Sequence, residues 1–477
     1  MKKVLLCLTY LFPLFAFSQN VDFTNKDIAK KTLGIANSFK FDDHTGVFQI
    51  KLSDTTFELV AVDDRSQLLW RSTYNGYAVA CGKFDTHILA ISSAGYSRSK
   101  WIINPYTAYL IDEKTGNTLT QKEIFNKPAQ HQESAFAYFT GDDTKFSLVI
   151  RQTHWKSGTF STAQDNTEAI SIVSLNEYLE TNIIKPKVPE GTFVGMTRNT
   201  NGDFYFLTCK NNNTLRAWRY DYGNTEPTSP ISLKCDTLEP ADFSGQVIAA
   251  SETDKNILYL GITYNDTNND RVLLTGKLDF DKHRSKIDSE VFTGRYKRAI
   301  EKNYVPFDVQ FQKPTIGSSK STLSVKYIKE YNGKLIITLS ESFYADNGSI
   351  MVTTNGGNYG YSLIINGYDS DLKKLFQQLM PVQYQWHWTL NSGFHFEDKY
   401  FNVISNNQGY NGFSLFGQLD MATGKWINQF EVMAKDGYVS DQHVIWFKDS
   451  FIVPLIGNPG VLKNLSKFNV QLRLNSY

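Results

Sequence analysis

From Ala108 to Phe125 the chain reads AYLIDEKTGNTLTQKEIF. An apolar run from Tyr109 to Ile111 stops at Asp112, reverses through Glu113-Lys114-Thr115-Gly116, and resumes as a second run of strand character. Asp112 can cap nearby backbone N–H groups, and Gly116 can adopt the positive φ of a tight reversal. The pattern predicts a β-hairpin, and it recurs. Leu59–Arg71 turns at Asp63, Ser171–Thr181 at Asn176, Thr214–Asn224 at Asp221, Arg271–Asp281 at Asp279, Ser362–Phe376 at Asp369 and Ser414–Phe430 at Asp420. Seven such hairpins, about 60 residues apart on average, mark a repeat architecture.

A second strand pair precedes the hairpin in several repeats. Phe193–Cys209 turns at Asn201-Gly202, Leu323–Leu339 at Asn332-Gly333, and Gly393–Ile404 near Glu397-Asp398. Asn-Gly between apolar runs is a strong hairpin signal. Each repeat therefore holds four strands, a to d, and the predicted fold is an all-β propeller of four-stranded antiparallel blades. Asp112-Glu-Lys-Thr-Gly116 and Asp420-Met-Ala-Thr-Gly424 carry a strand–Asp–x–x–Thr–Gly–strand hairpin, with a looser copy from Asp63 to Trp70. In this the chain resembles the secreted quinoprotein-like (PQQ-like repeat) β-propellers. The resemblance implies the fold, and no cofactor is carried over with it.

The number of blades is seven or eight, and the reading leans to eight. After the seventh hairpin, His443–Leu455 supplies an a–b pair and Lys467–Leu474 one further strand. An N-terminal strand near Val21–Ala29 would complete an eighth blade and remove an exposed sheet edge. Alternatively, the tail completes the first blade of a seven-bladed ring.

Residues 1–18 combine Lys2 and Lys3 with an apolar run from Val4 to Phe17, the pattern of a secretory signal. The remainder, 19–477, reads as a single propeller domain with an insertion near 293–319. The expected location is periplasmic or extracellular, as a soluble protein without a membrane span. Loss of the signal takes the formal charge from +1 to −1. Charges of both signs are interspersed, so no phosphate-binding stripe points to nucleic acid. Export would permit a disulfide, and Cys209–Cys235 falls within one repeat; the alternative is buried thiols. No metal site is expected. His387 and His395 lack a nearby ligand set, and the stretch from Asp266 to Asp270 reads as a solvated turn.

In an antiparallel meander the a–b and c–d turns share one end of the ring. The longer b–c and d–a connections share the other, and loops on a rigid scaffold are where binding concentrates. That end is expected to display Tyr96, Arg98 and Trp101; Arg151, His154 and Trp155; Tyr384, Trp386 and His387; and Asn407 and Tyr410. Trp386-His387-Trp388 also alternates as a strand would, which would place one of its faces in blade core. With aromatic residues at 14%, the surface suits stacking on sugar rings or packing on a protein. The expected function is an exported binding or scaffold module for a protein or glycan. The alternative is an exported polysaccharide hydrolase or lyase using His154, Arg151 or His387. No GxSxG, HExxH, P-loop or GxGxxG arrangement is present.

Overall fold

A computed structural model describes residues 25–97, 101–127, 132–139, 144–154, 166–235, 238, 246–268, 270–292, 321–345, 357–384, 392–408, 413–433, 437–457 and 468–477. The signal segment and the insertion near 293–319 lie outside the described residues. Eight four-stranded antiparallel blades form a propeller ring. Blades 1 to 7 occupy 34–75, 77–125, 132–184, 192–234, 248–292, 321–384 and 392–433, each with its strands in the order a-b-c-d from the middle outward. First strands of neighbouring blades lie against one another, Gly34–Lys40 on Tyr77–Phe84 for example, so strand a is innermost.

Blade 8 joins both ends of the chain. Its innermost strand is split into Gly437–Val439 and Ile445–Phe447 by a short 3-10 turn at Asp441–His443. Ser450–Gly457 and Phe468–Ser476 follow, and Asn25–Thr32 closes the sheet as its outermost strand. The closing strand therefore lies a few residues beyond the position expected from sequence.

The ring is held by its seams. Eight clusters of buried apolar side chains fill the eight interfaces between adjacent blades. Alternation along a strand sends successive side chains to opposite neighbours. In Thr56–Asp63, Phe57, Leu59 and Ala61 pack toward blade 2, whereas Val60 and Val62 pack toward blade 8.

The Asp turns form as their residues predict. Asp112 Oδ1 accepts from the Thr115 N–H at 2.8 Å and the Thr115 hydroxyl at 2.7 Å. Asp420 Oδ1 accepts from the Ala422 and Thr423 N–H groups, each at 2.9 Å. Gly116 and Gly424 close these turns at φ +70° and +66°. Both turns are also docking points for the blade before. Trp70 Nε1 donates to the Glu113 carbonyl at 2.7 Å and the Tyr74 hydroxyl to the Gly116 carbonyl at 2.8 Å. Gln378 Nε2 donates to the Gly424 carbonyl at 2.6 Å.

Several connections depart from the expected division into short and long: the b–c connections of blades 1 and 4 are only 54–55 and 211–213. The c–d connection of blade 4 runs 221–230, where Pro227 and Pro230 offer no N–H to a ladder. Conversely, Gly76 is the whole d–a connection between blades 1 and 2. No disulfide joins Cys209 to Cys235. Cys209 is a buried thiol, its pKa raised by burial, and both sulfurs belong to the apolar cluster between blades 4 and 5.

Candidate functional site

The long-loop end is where the described structure gathers an accessible group of recognition side chains, at the seam of blades 1 and 2. Lys51 lies near the end of Thr45–Ser53, Tyr77 begins Tyr77–Phe84, and Tyr96 lies near the end of His87–Ser97. Gly76 brings them together. Its φ is +105°, its N–H donates to the Thr55 carbonyl at 2.7 Å, and a Cβ there would meet Ser92 Oγ at 2.5 Å. Only glycine makes this turn without strain.

The Tyr77 and Tyr96 rings stack, with centroids 5.3 Å apart and 23° between planes. Lys51 Nζ lies 4.7 Å from the Tyr77 centroid and donates to the Tyr77 hydroxyl at 3.1 Å. Tyr96 is 42% exposed. The result is a cation, a supported ring and a displayed ring in sequence across one seam. Such an arrangement suits a flat apolar face bearing polar groups at its edge.

A second polar cluster lies between blades 2 and 3. Glu133, on the innermost strand Gln132–Phe139, is fully buried. It accepts from Gln152 Nε2 at 2.9 Å, from Asn104 Nδ2 at 3.2 Å and from the Tyr106 hydroxyl at 3.5 Å. Burial pushes its carboxyl up, against opposing hydrogen bonds from Gln152, Asn104 and Tyr106. These bonds tie strands of blades 2 and 3 together across the seam.

A third lies at the break in the innermost strand of blade 8. His443 Nδ1 is 2.9 Å from Ser440 Oγ, and its Nε2 faces the Ala36 carbonyl at 3.4 Å. Burial holds the imidazole down to about 4. Burial also pushes the neighbouring Asp441 carboxyl well above the usual range, with the Ser414 hydroxyl pulling weakly the other way. The residue types invite a nucleophilic reading. Ser440 is 3% exposed, however, and Asp441 not at all, so a substrate cannot reach them.

Of the residues expected at this end, Tyr96 is displayed there. Trp101, His154, Tyr384 and Asn407 lie in strands, at or near the ends that face the long loops. Arg98, Trp155, Trp386, His387 and Tyr410 lie outside the described residues. Arg151 is packed in the seam of blades 3 and 4, 5% exposed, with its guanidinium 4.0 Å from the Phe193 ring centroid. A guanidinium lies flat on an aromatic face more readily than an ammonium does. His395 stacks on Trp446 at 5.4 Å within the seam of blades 7 and 8. Asp266 caps a turn, accepting from the N–H groups of Asn268 and Asp270 at 3.0 and 2.8 Å. Lys51 and Tyr77 escaped sequence reading because they flank short connections. The signal was Asn75-Gly76-Tyr77, a turn dipeptide followed by an aromatic. Among the described residues, no group of three or more His, Cys, Asp or Glu could hold a metal ion, and no helix is long and apolar enough to cross a membrane.

No protein-family model and no curated protein sequence matches the chain. Solved structures do. The WD40 domain of SCAP from fission yeast is 10% identical, covering 95% of this chain and 98% of that one, with a TM-score of 0.42. A europium-containing methanol dehydrogenase is 9% identical over 96% and 94%, with a TM-score of 0.44. A PL25 ulvan lyase, bound to -[GlcA(1-4)Rha3S]-, is 9% identical over 95% and 96%, with a TM-score of 0.41. The likeness is one of fold. It assigns no chemistry.

Proposed function

We propose that this protein is an exported binding module that holds a protein or glycan at the long-loop end of its ring. The observation that carries the proposal is the Lys51–Tyr77–Tyr96 row, whose outer ring is exposed and whose inner ring is held by a cation. A glycan suits it best: a sugar ring stacks on Tyr96, and hydroxyls or carboxylates reach Lys51. Arg98, Trp101, His154, Trp155, Tyr384, Trp386, His387, Asn407 and Tyr410 belong to the same end in the repeat plan and would extend the surface. The alternative, a hydrolase or lyase at this end, would need an acid or base open to substrate. Glu133 has the raised carboxyl such chemistry uses, but it is enclosed.

A glycan array probed with the full chain and with Tyr96→Ala tests the reading. Binding that is lost in the variant while its Tm holds supports it. Identical array profiles would remove Tyr96 from recognition.

A further inference from the structure

The c–d turns of blades 3 and 6 are built alike, on Asn176–Glu180 and Asp369–Lys373. Asn176 Oδ1 accepts from the N–H groups of Tyr178 and Glu180 at 3.1 and 2.8 Å, and Asp369 Oδ1 from those of Asp371 and Lys373, both at 2.9 Å. The fourth residue of each turn is a leucine at positive φ, Leu179 at 57° and Leu372 at 63°. Both leucines are buried in the seam with the blade before. Glu177 therefore corresponds to Ser370, and Tyr178 to Asp371.

The blades before these turns correspond as well. Leu110 of blade 2 and Lys277 of blade 5 each stand two residues ahead of the Asp that opens a turn, opposite the third residue of strand b, Leu89 and Tyr259. Lys277 crosses to the turn of blade 6. Its Nζ donates to the Ser370 carbonyl at 2.8 Å and lies 3.9 Å from Asp371 Oδ1. An ammonium thus closes that seam. At the seam of blades 2 and 3 the same position is apolar, and a hollow of about 310 Å³ lies beside the turn. Buried Phe84 and Leu110 line it together with Asp85, His87, Glu177 and Tyr178. Among the described residues that line it none is a lysine or an arginine. Tyr178 is 72% exposed, and its hydroxyl donates to the Glu177 carboxylate. His87 Nδ1 lies 3.8 Å from Glu113 Oε2.

We propose that this hollow is a binding pocket for a primary ammonium group on an unbranched apolar stem, the group that Lys277 supplies from within the chain at the seam of blades 5 and 6. The stem packs on Phe84 and Leu110. The ammonium meets the Asp85 and Glu177 carboxylates and the face of the Tyr178 ring. Those carboxylates favour a cation over a neutral or anionic head group of the same shape. A free alkyl amine and the lysine side chain of a partner protein share this chemistry. The pocket lies at the short-turn end of the ring, away from the Tyr96 rim.

The test is ligand-observed NMR on the full chain at neutral pH with n-pentylamine, and with n-pentanol as its uncharged match. The amine should bind saturably with a Kd on the order of millimolar, and the alcohol about tenfold more weakly or not at all. Tyr178→Ala should weaken amine binding about three- to fivefold, the loss of an exposed cation–π contact. Asp85→Asn combined with Glu177→Gln should weaken it about as much. Asn suits the positive φ of position 85, so this variant should melt as wild type does. A second arm adds a short peptide bearing one lysine. Competition with the amine assigns the pocket to a protein side chain, and no competition assigns it to a free amine. No saturable amine binding by wild type overturns the proposal, as does equal binding of n-pentanol or an affinity unchanged in both variants. Tyr96→Ala leaves amine binding unchanged, so failure here and failure at the rim are separable.

Discussion

Trp70 of blade 1 lies directly over Gly116 of blade 2, close enough that a Cβ on the glycine would overlap the indole ring. The turn that predicts a hairpin from sequence is thus also a socket for the neighbouring blade. Trp70→Phe keeps most of the ring but loses the donor to the Glu113 carbonyl, and should cost about 1 kcal/mol. Gly116→Ala meets both the indole and a φ of +70°, and should cost about 2–3 kcal/mol. Urea denaturation of both variants checks this. Equal midpoints for wild type and Gly116→Ala would show that the socket does not exist.

At the rim, one aromatic contact is at stake. Tyr96→Ala should weaken glycan binding about five- to tenfold, the effect of losing about 1 kcal/mol of stacking. Lys51→Met should lower affinity for acidic glycans more than for neutral ones. Titration calorimetry with the best array ligand reads both, and an unchanged Tm shows that the ring is intact.

The buried groups near blade 8 give stability a defined pH dependence. His443 and His395 are held to about 4 by burial, below their ordinary 6.5. Between these values the unfolded chain binds protons that the folded ring does not, so their contribution is whole above 6.5 and lost as pH falls toward 4. Asp441 has the opposite sign. Its folded pKa is raised above 3.8, so its contribution is whole below that value and declines as pH rises. Asp441→Asn keeps the shape of the protonated acid and should have a higher urea midpoint than wild type at pH 8, an advantage that disappears at pH 4. His443→Asn should flatten the acid limb. A destabilised Asp441→Asn at pH 8 would show that the carboxylate is charged and matched in the fold.

Removing residues 1–32 takes away the outermost strand of blade 8 and exposes the edge of Phe468–Ser476. The shortened chain should melt lower and associate through that edge in size-exclusion chromatography. A synthetic peptide spanning Asn25–Thr32 should return the shortened chain to the elution volume of the full chain by adding back as a strand. A shortened chain as stable as the whole would mean that the ring closes without this strand.

The repeat, the four-strand blade and the Asp turns were legible because each rests on local chemistry, namely alternation, a carboxylate and a glycine. Eight blades were legible because a spare strand at each end of the chain completes a sheet. The site was harder to read. Arg151 belongs to a b–c segment that looks like a display loop, yet its place in the strand register sends it onto Phe193 in a seam. Lys51 and Tyr77 flank connections too short to draw notice.

Blade 8 also sets an order on assembly. Among the described residues its outermost strand precedes, and its partner strand follows, all the other strands of the ring. A growing chain can complete and pack intermediate blades, but Asn25–Thr32 must wait until Phe468–Ser476 has emerged. The early segment is therefore a tether whose docking reports that its partner strand is in place. A probe on it would time the closure of the ring.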